Sequence, residues 1–226
     1  MGPNRLFPYR QPAPPEPTTE EKIRDAALTS CAQDGIAATS FAKVAAAAGI
    51  SVGAVQHHFR TKAELIDAVD QHVLRVLSDG LDATPLPGPP SEALEEAGRR
   101  LTRMMAANPR EMDYLGRALV EGEAGSVIGQ VIFDGLTRIS EAQGEQFLER
   151  GAARDDLDWA WAILNPIILR VGPIILRPYI ERYLKRSFYD QDQLERWESS
   201  VKSLLQHGTF EHQARVERGS SEPLFP

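Results

Sequence analysis

The chain has 226 residues, enough to bury a substantial core in one or two domains, and it carries a net charge of −7 with a single cysteine. One cysteine excludes an internal disulfide framework and suits a reducing compartment, and overall acidity excludes a protein that coats nucleic acid along its whole surface. The charge is uneven: residues 1–62 hold seven Lys or Arg against five Asp or Glu, and the remainder is net −9, so a mildly basic head sits on an acidic body.

Residues 1–17 are Pro-rich, without helical period or an apolar signal-like run, and are expected to form a disordered arm whose Arg5 and Arg10 are most simply solvated. Thr18 and Glu21 have the capping-box spacing that opens a first helix. Its apolar stripe is Ile23, Ala27, Leu28 and Cys31, and Gly35 ends it. Cys31 reads as a small core residue, since no charge nearby in sequence would lower its pKa. Thr39 or Ser40 caps a second helix in which Phe41, Val44 and Ala48 share a face. Gly49 closes that helix, and Ser51 caps a third. In the third helix Val55 and Phe59 point inward with Ile50, leaving Val52, Gly53, Ala54, Gln56 and His57 facing out. Two short helices joined by a tight turn make a helix-turn-helix, whose second helix lies in a DNA major groove.

The run IRDAALTSCAQDGIAATSFAKVAAAAGISVGAVQHHFRTKAEL, from Ile23 to Leu65, resembles the N-terminal domain of TetR-type transcriptional regulators, and the resemblance extends from Thr19 to Val73. It implies a homodimeric, all-α regulator with an N-terminal three-helix DNA-binding domain. A C-terminal helical domain for ligand binding and dimerisation brings the total to about nine helices. The expected reading surface is Ser51, Val52, Gly53, Ala54, Gln56 and His57. Gly53 and Ala54 permit close approach, Ala54 and Val52 suit a thymine methyl, and Gln56 has the donor–acceptor geometry for adenine. Thr39, Ser40, Lys43 and Lys62 are expected at the DNA backbone. The chain departs from the family pattern at three positions. Gln56 stands where Tyr is common, Val52 where Lys is usual, and Ala42 where a basic or polar residue is frequent. Each departure removes a phosphate contact.

Thr61 and Glu64 repeat the capping-box spacing and open a fourth helix, with Leu65, Val69, Val73 and Leu77 on one face to about Gly80. This helix leaves the head and enters the body, and is the expected mechanical link. Residues 84–90 (TPLPGPP) must be loop. Ser91 is expected to cap a fifth helix, with Leu94, Ala97, Leu101, Met104 and Met105 inward and Asn108–Pro109 at its end. A sixth helix is expected near Arg110–Glu121 and a seventh near Ser126–Arg150, followed by a polar loop at 151–156. The stretch from Trp159 contains PIILR twice, at Pro166 and Pro173, seven residues apart, so both copies face the same way. Arg170 and the prolines argue against a membrane span and for a buried helix kinked at proline. The last helix, near Asp190–His207, has a stripe of Leu194, Trp197, Val201, Leu204 and Leu205, and the tail from 208 is expected to fray.

The resemblance further implies pairing of the final two helices with those of a second subunit, with Ile167, Ile174 and the stripe of the last helix as contacts. It also implies a ligand cavity in the body. Met104, Met105, Tyr114, Phe133, Trp159, Leu164 and Ile168 are candidate walls, and Arg117, Glu121, Arg138, Asn165 and Arg170 candidate orienting groups, for a mostly apolar ligand. The expected division is 1–17 arm, 18–64 DNA-binding domain, 65–207 ligand and dimerisation domain, and 208–226 tail. The five histidines form no HExxH pattern, and CxxC and Gly-rich phosphate motifs are lacking. No catalysis, metal or cofactor is therefore expected. The reading is a cytoplasmic repressor released from a palindromic operator by a small ligand. The rivals are a DNA-binding dimer without an effector, and an interaction module that has lost DNA binding.

Overall fold

The computed structural model describes residues 16–82, 86–122, 129–148 and 156–209. Among these every regular element is helical: α1 (Thr19–Asp34), α2 (Phe41–Ala48), α3 (Val52–His58), α4 (Lys62–Asp82), α5 (Pro90–Ala107), α6 (Pro109–Glu121), α7 (Gln130–Leu148), α8 (Trp159–Ile175), α9 (Arg177–Leu184) and α10 (Gln191–Thr209). The expectations for residues 1–15, for the start and end of the seventh helix including Ile128, for most of the 151–156 loop and for the tail from 210 lie outside the described residues.

The head forms where local signals agree. Thr18 and Glu21 make the reciprocal capping box of α1, and Ile23, Ala27, Leu28 and Cys31 are buried along one face. Gly49 ends α2 in the left-handed region at φ +69°, a conformation in which a side chain at Cβ is strained. At the start of α4 the Glu64 amide donates to Thr61 Oγ1 at 3.1 Å, while the Glu64 carboxylate reaches back to the Arg60 N–H at 2.8 Å. The Leu65, Val69, Val73 and Leu77 face of α4 is buried. The apolar core runs without a break from Ile23, Val44 and Val55 in the head to Met105, Met112 and Ile174 in the body.

Ser91 does not cap α5. The helix begins one residue earlier, with Pro90 at its first position and Pro89 as an N-cap that makes no side-chain bond. Proline is preorganised for a first helical turn and has no N–H to leave unpaired. The apolar stretch after Trp159 gives two helices, α8 and α9. The expected kink at proline is misplaced: α8 runs through Pro166 and Pro173, and the 69° bend falls between Ile175 and Arg177. Pro178 lies in the first turn of α9, where its missing N–H cannot continue the hydrogen-bond ladder of α8. Among the described residues no single helix is long and apolar enough to cross a membrane; α8 and α9 pass that test only together, across the bend. The two PIILR copies do face alike. Ile167 and Ile174 are both buried, and Ile168 and Ile175 are both exposed.

Candidate functional site

Ser51 caps α3, accepting from the Ala54 N–H at 3.1 Å, and Val55 anchors the helix in the core at full burial. Val52, Gly53, Gln56 and His57 face solvent, while Ala54 is half-buried. His57 and His58 are both exposed, their rings edge-on at 5.6 Å, so burial does not single out His57. The open face is short, smooth and polar only toward its C-terminal half, a shape suited to lying against a groove floor.

Two of the four expected backbone contacts are committed elsewhere. Thr39 is 2% exposed; its hydroxyl donates to the Gly35 carbonyl at 2.9 Å and lies 3.0 Å from Ser30 Oγ. It ties the loop between α1 and α2 and does not face outward. Lys62 Nζ donates to the Ala37 carbonyl at 3.0 Å, on the same loop. Ser40 caps α2, accepting from the Lys43 N–H, and stays exposed. Lys43 pairs with Asp34 at 3.2 Å, with both side chains about half exposed, an interaction weak enough for a phosphate to replace. Arg60, one residue past the α3 cap, is exposed as well, its backbone N–H held by the Glu64 carboxylate.

Two apolar lobes open inside the body. One lies between α5, α7 and α8, with Leu94, Gly144, Phe147, Trp159 and Ile163 on its walls. The other lies between α4, α5, α6, α7 and α8, with Leu77, Met104, Met105, Met112, Leu136 and Val171. Both are narrow, with about 60 and 70 Å³ open to the centres of water-sized atoms, and both are partly open to solvent. Of the candidate walls, Met104 and Met105 line the second lobe and Trp159 the first. The other candidate walls do not line these lobes. Tyr114 is fully buried and donates to Asp70 Oδ1 at 2.6 Å. Arg117 faces solvent on α6, 4.0 Å from Glu121. Phe133, Asn165 and Ile168 are exposed on the outer sides of α7 and α8. The stripe of an isolated helix cannot say which neighbour covers it, and these residues follow the second apolar face.

The sequence of the head matches the family model for bacterial regulatory proteins, tetR family, over residues 23–69. The HTH-type transcriptional regulator BetI of Paraburkholderia xenovorans is 47% identical over 56 residues, which are 25% of this chain and 29% of that protein. The N-terminal domain belongs to the TetR family. The chain thus spans under a third of the length of the curated relative it matches. The fold reaches further. The fatty acid degradation regulator FadR of Bacillus halodurans superposes with a TM-score of 0.67 at 17% identity, covering 85% of this chain and 96% of that one. The ketosteroid transcriptional regulator of Mycobacterium tuberculosis superposes at 0.60 and 16% identity, covering 86% and 96%. TetR-type architecture therefore extends through the helical body.

Helix α6 is tied to α1 and to the α1–α2 loop at its two ends, and to α4 between them. Arg110 reaches Thr29 at 3.3 Å, Glu111 lies 3.8 Å from His72, and Tyr114 bonds Asp70. Glu121 accepts from the backbone N–H groups of Ile36 at 2.8 Å and Ala37 at 3.2 Å. Burial pushes the Asp70 carboxyl up to about 6, against the opposing pull of the Tyr114 hydrogen bond. Burial likewise raises the Cys31 thiol, as expected of an inert core residue. Met112 and Leu115 of the same α6 line the second lobe. The link between cavity and head is thus α6 as well as α4.

The residues expected at a subunit interface are mostly spent inside the chain. Ile167, Ile174, Leu194, Val201 and Leu205 are buried in its own core. Trp197 is half-buried with its ring 5.4 Å from that of Phe188. Only Leu204 is exposed. The apolar surface left open lies on the opposite face: Trp161, Ile168 and Ile175 of α8, seven residues apart, then Tyr179 and Tyr183 of α9. Gly172, between Ile168 and Ile175, meets no other chain segment within 4 Å of a built Cβ.

Proposed function

We propose that the chain is a homodimeric, DNA-binding transcriptional regulator, a repressor released from a palindromic operator by a small and mostly apolar ligand. The observation that carries this is the pairing of an exposed α3 face with a twin-lobed apolar cavity, one wall of which, α6, bonds directly to the head. Residues 18–64 do the DNA reading and 65–207 the sensing and pairing. The exposed row Trp161, Ile168 and Ile175 supplies the two-fold contact. Two-fold symmetry sets half-sites about 34–36 Å apart. The ligand acts by its different affinity for two arrangements of α4 and α6. Apolar lobe walls favour a ligand rich in hydrocarbon; a fatty acid degradation regulator and a ketosteroid regulator share the fold. Neither a bound metal nor a cofactor is part of this mechanism, and the protein works in the cytoplasm.

Selection of bound duplexes from a random pool, at low and then rising salt, tests the reading. A palindromic consensus whose affinity falls steeply with salt is expected. A monomer that ignores duplex DNA at low ionic strength overturns it.

A further inference from the structure

The two lobes adjoin at a waist. They share Ala97 of α5, Ser140 and Gln143 of α7, and Pro166 and Arg170 of α8. Ser140, Gln143 and Arg170 line both lobes, and beyond this waist the walls are apolar apart from the edge of Trp159. The polar groups thus stand where the lobes adjoin, and the two lobes together outline a slot with its polarity at the middle.

Their chemistry is also specific. Ser140 Oγ already donates to the Ile163 carbonyl at 2.8 Å, so it is held in place with lone pairs to spare. Arg170 Nη2 meets Glu198 Oε1 at 3.4 Å, with side chains 18% and 7% exposed. Arg170 Nε is buried without a protein hydrogen-bond partner. Glu198 neutralises the guanidinium and leaves donors over. A second carboxylate entering this low-dielectric waist would face the Glu198 carboxyl, whose charge Arg170 and Lys202 already offset, and like charges sharing such a site are disfavoured. An uncharged acceptor oxygen takes the spare donors without that conflict.

We propose that the slot binds an elongated, uncharged ligand with a carbonyl or hydroxyl near its middle and hydrocarbon at both ends, the oxygen accepting from Arg170 and Gln143. The inference rests on the reading of this cavity as an effector site. Each hydrocarbon arm fills one lobe, and the hydrogen bonds at the waist fix the ligand's position along the slot.

The test uses three eleven-carbon probes on the full chain: 6-undecanone, 2-undecanone and undecanoate. Binding is followed by quenching of tryptophan fluorescence, since Trp159 lines one lobe, and checked by calorimetry. The 6-undecanone is expected to bind about tenfold or more tightly than undecanoate, and more tightly than its isomer, because a hydrogen bond to a charged donor carries about that factor. The double variant R170M/E198M removes the pair without stranding a buried charge. Q143L leaves the ion pair untouched. Both are expected to bring 6-undecanone down toward 2-undecanone. Undecanoate binding as tightly as 6-undecanone, or a preference unchanged in both variants, overturns the waist while leaving the cavity an effector site. Binding of none of the three overturns the waist and the effector reading together.

Discussion

Replacing Tyr114 by Phe removes one hydroxyl from the junction of α6 and α4 and nothing else. In the native chain that hydroxyl donates to Asp70 Oδ1 at 2.6 Å, and both residues are at most 2% exposed. The ordinary Asp value of 3.8 is pushed up to about 6 by burial, with the Tyr114 bond working against the rise. A raised folded-state value means that the Asp70 contribution to stability is fully present below 3.8 and is lost as pH rises through about 6. Without the hydroxyl the folded value climbs further, so the loss continues to higher pH. The difference between wild type and variant is therefore small at pH 5 and opens above pH 6. At pH 8 the deficit is that of a bond to a buried charge, about 1.5–3 kcal/mol. For a chain of this size that corresponds to a fall in Tm of roughly 3–12 °C. At pH 5, with Asp70 mostly protonated, the bond is between neutral groups and the deficit is nearer 1 kcal/mol in order of magnitude. Thermal and urea unfolding at the two pH values measure both numbers. A deficit equal at pH 5 and pH 8 would refute the argument, because it would mean that the hydroxyl does not support an ionised Asp70. The variant should still bind the cavity probes, since Tyr114 does not line either lobe.

Other changes probe the remaining contacts. Gln56→Ala should weaken operator binding by about 1–3 kcal/mol if the amide makes a bidentate base contact, with sedimentation showing an intact dimer; unchanged affinity in a gel-shift assay removes Gln56 from the reading face. Ile168→Glu, on the outer face of α8, should give a folded monomer in sedimentation, whereas Trp197→Glu strikes the chain's own core beside Phe188 and should unfold it. Dimers persisting in the Ile168 variant would move the interface elsewhere. Glu121→Ala deletes the acceptor of the Ile36 and Ala37 amides, and their hydrogen exchange should quicken by roughly tenfold or more; unaltered rates would show that α6 does not hold the loop between α1 and α2. Gly35→Ala should destabilise the head measurably in urea, because the residue has φ +94° and a Cβ there comes within 2.6 Å of Glu121 Oε1. A neutral result would mean the loop is free to shift.

The sequence by itself determined the head. Capping boxes, the left-handed Gly49 and the i, i+3, i+4 spacing of Val55 and Phe59 act within one or two turns, so neighbouring residues alone decide them. It also determined that the body is helical and that the two PIILR copies point alike, because a seven-residue spacing is a property of one helix. Tertiary structure alone decided which side of that helix goes inward. Apolar residues lie on both faces of α8, and only the packing of α6, α7 and α10 sends Ile167 and Ile174 to the core and leaves Ile168 and Ile175 outside. The same holds for Thr39, whose hydroxyl could cap or face a phosphate until the fold closes the α1–α2 loop over it, and for Tyr114, whose partner lies 44 residues away. Contacts across such separations depend on how helices stack, which no local pattern encodes. The waist between the two lobes is of this kind, since α5, α7 and α8 each bring part of it.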